Sequence, residues 1–186
     1  MIVKNHAAWI VIASMLVSSV VRADQEIPPT DYYKITRDQK HIFVMLAPKG
    51  KSSEKNKTLR KQYNQSGLYP NNGSGRPLWM VDWYAFSIYA SSDGTHLVRM
   101  GSWPRVIGGE ANLEQLAFSF YENGKLIRHY MISDLVTNPA VLEVSDEHFN
   151  WIKDLTFDDE SGQLKVLTLD AHPYTFEVKT GEMLKP

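Results

Sequence analysis

Asp82, Asp93, His96 and His148 are the side chains whose chemistry fits proton transfer. A carboxylate beside an imidazole can orient it as a general base for hydrolysis, provided the two meet in a cleft. Asp93 and His96 flank a turn, and Asp146 and His148 lie together where Ser145 could start a helix. Spacing carries the argument no further. The histidines after residue 23 are His41, His96, His129, His148 and His172, and none forms an HxH or HExxH pair. No metal site is therefore expected. There is no GxSxG elbow for a nucleophilic serine. Asp158-Asp159-Glu160 adjoin Ser161-Gly162 and read as a solvated hairpin tip. A glycosidase needs two carboxylates held at a set gap across a cleft. The chain has no cysteine, which removes thiol catalysis and thiolate metal sites. No nucleotide or cofactor motif is present, and no cofactor is expected.

Two other groups of residues are suited to binding. Trp79, Trp83, Tyr84, Phe86, Tyr89 and Trp103 fall within one short stretch. Alternation places Trp79, Val81 and Trp83 on one face of an extended strand, with Phe86 and Ile88 sharing a face after a phase change. If one set is core and the other exposed, Trp79, Trp83 and Trp103 offer an aromatic strip to a glycan or a protein. A strand buried on both sides is the alternative. The second group is Lys55, Lys57, Arg60 and Lys61, in a segment rich in lysine and poor in acids. It suits anionic lipid, a cell-wall polymer or an acidic partner, or serves only as solubilising charge.

The elements that must position these residues are mainly strands. Residues 24–40 are polar, contain Pro28-Pro29, and read as an extended arm. His41 to Ala47 is a short apolar run, a buried strand. Residues 48–76 read as a long polar, basic loop. From residue 77 onward, strands alternate with Gly-containing turns at Asp93-Gly94, Asn123-Gly124, Ser161-Gly162 and Thr180-Gly181. Such dipeptides between apolar runs are strong hairpin signals. The fold class is mainly β: an antiparallel hairpin meander forming a sandwich, a half-barrel or a propeller-like sheet. One or two short helices are expected, at Ser133–Val136 and at Ser145–Trp151. Residues 77–186 and 24–47 should form one domain.

The N-terminus carries an address. Lys4 precedes an apolar run from Ala7 to Val21, and Val21-Arg22-Ala23 suits a cut ahead of Asp24. The run is shorter than the roughly 20 residues a spanning helix needs. Residues 1–23 therefore read as a signal peptide, with no transmembrane span after cleavage. Cleavage removes Lys4 and Arg22 from the 20 basic residues and none of the 21 acids, leaving 18 against 21 and a net charge near −3. That excludes a global basic field for nucleic acid. The lack of cysteine in an exported chain suits a bacterial envelope, periplasmic or secreted. Asn56-Lys57-Thr58, Asn64-Gln65-Ser66 and Asn72-Gly73-Ser74 are glycosylation triplets that point weakly the other way.

The stretch Leu78-Trp79-Met80-Val81-Asp82-Trp83-Tyr84-Ala85-Phe86, continuing through Asp93-Gly94 to Gly101-Ser102-Trp103-Pro104, resembles an uncharacterised family of exported bacterial β-rich proteins. The similar pattern continues through Phe120 to Gly124 and Ser133 to Val136, to Tyr174-x-Phe176-x-Val178-x-Thr180-Gly181. The resemblance implies an exported bacterial β-rich domain and brings no activity, cofactor or binding residue with it. The leading expectation is an exported, non-enzymatic binding module of the cell envelope with a protein or glycan partner, an immunity-type inhibitor included. The alternatives are an envelope-polymer hydrolase built on Asp82, Asp93, His96 and His148, and a structural subunit of an envelope complex. N-terminal sequencing of the exported protein should begin at Asp24; a retained leader in the membrane fraction would mean an anchor instead.

Overall fold

The computed structural model describes residues 27–50 and 55–184; the expected signal peptide, residues 1–23, lies outside them. Within the described residues the fold is three four-stranded antiparallel meanders stacked face to face. The first sheet joins β1 (Tyr32–Ile35), β2 (His41–Met45), β3 (Gly67–Pro70) and β4 (Trp79–Met80) in that order. The second opens with β5 (Ile88–Ala90) and β6 (His96–Met100). A two-stranded excursion, β7 (Val106–Ile107) and β8 (Glu110–Ala111), then leads back to β9 (Leu116–Glu122) and β10 (Lys125–Met131). A small hairpin of β11 (Glu143–Val144) and β12 (Phe149–Asn150) precedes the third sheet. That sheet runs β13 (Ile152–Asp158), β14 (Gln163–Thr168), β15 (Pro173–Glu177) and β16 (Met183–Leu184). The expected mainly β, hairpin-based class is the one observed. The strands divide among several small antiparallel sheets, and no sheet closes into a barrel.

Alternation explains the stacking. Successive strand residues point to opposite faces, and the middle sheet is apolar on both. Ile88, Leu97 and Tyr121 pack with Phe43, Met45, Leu68 and Trp79 of the first sheet. Their neighbours Val98, Phe118 and Phe120 face Leu164, Val166 and Phe176 of the third. Each such side chain, fully buried, contributes roughly 1.5–3 kcal/mol. The ends of the stack are finished differently. On β14, Leu164 and Val166 are buried while the intervening Lys165 is exposed, so the third sheet ends in a polar face. On the first sheet, Ile42, Val44 and Tyr69 are covered by a short helix, α1 (Lys57–Gln62).

That helix corrects the reading of residues 48–76 as one loop. Leu59 and Tyr63 stand four residues apart, so both reach the same sheet face. Asn56 caps the helix by accepting from Leu59 N–H at 3.0 Å. Leu68 and Tyr69 then alternate into the two cores and make β3 a strand between β2 and β4. The supposed arm at 24–40 likewise contains β1, paired to β2 with Tyr32 opposite Met45. Trp79 to Ala90 is not one strand: pairing stops after Met80 and resumes at Ile88. The helix expected over Ser145–Trp151 is absent. Ser145 Oγ donates to His148 O at 2.8 Å and accepts from His148 N–H at 3.1 Å, closing a tight turn. Phe149 and Trp151 then go into the core by strand alternation. The turn at Ser133–Val136 does form, as a 3-10 segment at Ile132–Asp134.

All four expected hairpin turns are present. Their glycines, Gly94, Gly124, Gly162 and Gly181, have φ between 65° and 77°, the left-handed region that suits glycine.

The double-sided packing makes a direct prediction. Leu97→Ala and Leu164→Ala, one in each inter-sheet core, should each lose about 2–5 kcal/mol in urea unfolding. Lys165→Ala on the polar outer face should stay within about 0.5 kcal/mol of the parent.

Candidate functional site

The two ends of the stack differ in what they offer a ligand. At one end, the turns of all three sheets are laced together. Asp159 accepts from Ser91 Oγ at 3.0 Å and from Ser92 N–H at 2.9 Å, and the Ser92 hydroxyl donates to it as well. Asp38 N–H donates to Ser92 Oγ at 3.2 Å, and Arg37 pairs with Glu160 at 3.1 Å. Trp79 Nε1 donates to Gly94 O at 2.8 Å. Beside this lacing, the first strands of the three sheets line one open cleft of about 310 Å³, which includes Lys34, Tyr89 and Phe157. Its polar groups are already engaged: Lys34 Nζ donates to Ile88 O at 2.9 Å and lies 5.0 Å from the Tyr89 ring centre.

The expected catalytic residues divide between the ends. Asp93 and His96 do meet at the laced end, with Oδ2 2.6 Å from Nδ1, and Glu122 lies 4.0 Å from the other ring nitrogen. The Asp93 carboxylate also accepts from Thr95 N–H at 2.8 Å and His96 N–H at 3.0 Å, so it holds its own turn together. Burial alone would raise its pKa, but these hydrogen bonds pull it down to about 2. Asp82 is exposed between β4 and β5. His148 lies beyond the other end of β6, whose five residues span roughly 16 Å at about 3.3 Å each. The four residues therefore do not form one site. Neither the first-strand cleft nor the Trp103 pocket below is lined by Asp82, Asp93 or His96. Among the described residues no group of three or more metal-ligating side chains comes together.

The expected binding residues are also sorted by the fold. Trp79 is 7% exposed with its N–H committed, and is core. Trp83 is half-buried against Tyr121, with the Arg99 guanidinium 4.6 Å from its ring centre. Trp103 is separate from both, so no continuous aromatic strip exists. In the basic segment, Lys55, Lys57 and Lys61 are exposed. Arg60 is not a contact residue. It forks onto Asp31 through Nε and Nη2, both at 2.7 Å, and donates to Ala47 O at 2.6 Å. Asp31 also accepts from Ala47 N–H and Asn56 N–H, each at 2.6 Å. Burial alone would raise the Asp31 carboxyl, but Arg60 and these backbone donors hold it below the ordinary range.

The remaining end carries a second pocket. About 380 Å³ is lined by Trp103 and Pro104 after β6, and by Glu143, Ser145, His148, Phe149 and Asn150 of the β11–β12 hairpin. That volume lies within the usual range of ligand sites. The Trp103 and His148 rings meet edge to face, 5.0 Å apart at 86°. His148 is 7% exposed, and its Nδ1 is enclosed without a hydrogen-bond partner. Register pairs Glu143 with Asn150, and Asn150 Nδ2 donates to Glu143 Oε2 at 3.3 Å. A second hollow of about 170 Å³ shares Trp103, Pro104, Phe149 and Asn150 with it and is also lined by Gly101 and Trp151; the two together are the Trp103 groove. One expected binding residue and one expected catalytic residue thus meet here. Sequence reasoning missed Glu143, Ser145 and Asn150 as site residues. Reading Ser145–His148 as a turn between two short strands, not as a helix start, would have set Glu143 opposite Asn150.

Asp93 makes a pH prediction. Its folded pKa is about 2 against an ordinary 3.8, so its contribution to stability is present above the ordinary value and is lost as pH falls towards 2. Asp31 and Asp170 are shifted the same way and add to the acid loss. Asp93→Asn should flatten part of that loss in urea midpoints measured across this window; an unchanged slope would mean the turn does not hold the charge.

No family model matches the chain, and no curated protein and no solved structure matches it.

Proposed function

We propose that the chain is an exported, non-enzymatic binding module of the bacterial envelope that takes a glycan in the Trp103 groove. One observation carries this reading. A half-buried indole, braced edge-on by His148, stands in a pocket with the Glu143 carboxylate and the Asn150 amide. Sugar rings present C–H faces that pack on aromatic surface and hydroxyls that pair with carboxylates and amides. A second hollow shares four of the pocket's lining residues, which suits a linear chain more than a single side chain. The secretory character of residues 1–23 and the resemblance of residues 78–104 to exported bacterial proteins support the location.

Binding is favoured over hydrolysis because the lining includes one carboxylate, Glu143, where glycoside hydrolysis uses two. The hydrolase alternative retains Asp93 and His96 as a pair, but the Asp93 carboxylate is already engaged by the N–H groups of its own turn. Lys55, Lys57 and Lys61 form a separate exposed basic surface on and beside α1 that would tune approach to a polyanionic envelope.

Titration of residues 24–186 with soluble envelope glycan fragments, read by tryptophan fluorescence and calorimetry, tests the proposal. Saturable binding is expected, with Trp103→Ala weakening it about tenfold or more, a loss near 1.4 kcal/mol. Lys55→Ala with Lys57→Ala should leave neutral fragments bound as before. Absence of saturable binding, or release of new reducing ends from the fragments, would overturn it.

A further inference from the structure

We infer that the Trp103 groove selects a glycan bearing free amino groups, with a sugar ammonium held between the Trp103 ring and the Glu143 carboxylate. This rests on the glycan reading above and adds the charge of the ligand.

The argument is an inventory of what the pocket leaves unused. Ser145 Oγ is spent on His148, accepting from its N–H and donating to its carbonyl. The Asn150 amide is partly committed: one of its two N–H groups donates to Glu143, and its Oδ1 accepts from Ile152 N–H at 3.2 Å. Glu143 is the lining residue with a formal charge. Its carboxylate has room for about four donors and meets Asn150 at the long distance of 3.3 Å. The unused capacity that carries a charge is therefore the acceptor capacity of Glu143. A charged donor fills it better than a hydroxyl, because hydrogen bonds between ions are shorter and roughly twice as strong.

One further feature agrees. A cation over an indole face is attracted by the ring quadrupole, most strongly for tryptophan. The surrounding charges are mixed: Asp146 and Glu147 are exposed on the same turn, Arg105 is exposed opposite His148, and none of the three lines the pocket. A neutral N-acetylated sugar would stack on Trp103 equally well and leave Glu143 without its counter-charge.

The test compares de-N-acetylated and fully N-acetylated glucosamine tetramers, titrated calorimetrically into residues 24–186 at fixed low salt. The amino tetramer should bind about tenfold tighter, the scale of a partly exposed cation–π contact with one charge-assisted hydrogen bond. The preference should shrink with added salt and vanish in Glu143→Gln, an exposed substitution whose fold is checked by circular dichroism. Equal affinity, or a preference for the acetylated form, ends the charge selectivity and leaves the glycan reading intact. Failure of both tetramers to bind ends both. Tighter binding of a tetralysine peptide than of the amino tetramer would keep the ammonium site and overturn its assignment to a sugar.

Discussion

The central strands of the middle sheet, β6 and β9, are buried on both faces, and the rest of the molecule is arranged around that requirement. In β6, Leu97 and Val98 are adjacent, fully buried, and point opposite ways. In β9, Phe120 and Tyr121 do the same. A two-faced apolar sheet cannot stand in water, so it demands a layer on each side. The first and third sheets supply those layers, and each then needs an outer face that ends the stack. The third ends in the polar residues between its buried positions. The first is apolar outside as well and borrows α1. The Asp31–Arg60 fork fastens that helix to the sheet, which is why a lysine-rich segment contributes one of its basic residues to structure instead of to solvent.

This arrangement leaves the two ends of the sheets with different tasks. At one end the hairpin turns of all three sheets approach one another, and short polar side chains (Ser91, Ser92 and Asp159 among them) tie them together. Polar chemistry there is consumed by folding. Asp93 and His96 belong to that lacing, and their contact follows from turn geometry. At the other end the chain leaves β6 at Gly101 and makes the β7–β8 excursion before β9, and after β10 it adds the β11–β12 hairpin. These irregular pieces are not bound to the ladder, so they can form a concavity. The groove sits there, on a rigid scaffold but outside its regular hydrogen-bonding pattern, which is the usual place for recognition.

The groove's chemistry is lopsided for a physical reason. Ser145 commits its hydroxyl to the turn, and Asn150 bonds to Ile152 N–H and, by one N–H, to Glu143 across the hairpin. Glu143, exposed on a two-residue strand, keeps further acceptor capacity and is the one carboxylate in the lining beside Trp103.

Local alternation and glycine's left-handed backbone were enough to set the mainly β class, the four hairpin turns and the buried identity of Ile42–Met45. The sequence by itself also determined that Asp93 and His96 would be close, since they span one turn. Only the tertiary structure decided that Trp79 is core, that Arg60 is held by Asp31, and that His148 joins Trp103 instead of Asp93. Those outcomes depend on which sheet faces which, a choice made by contacts between residues far apart in the chain. The Ser145–Trp151 segment marks the boundary between the two. Its local signals, an N-cap residue followed by acids, favoured a helix. Burying Phe149 and Trp151 on one face while Asn150 faces the other required a strand, and the long-range packing outweighed the local preference.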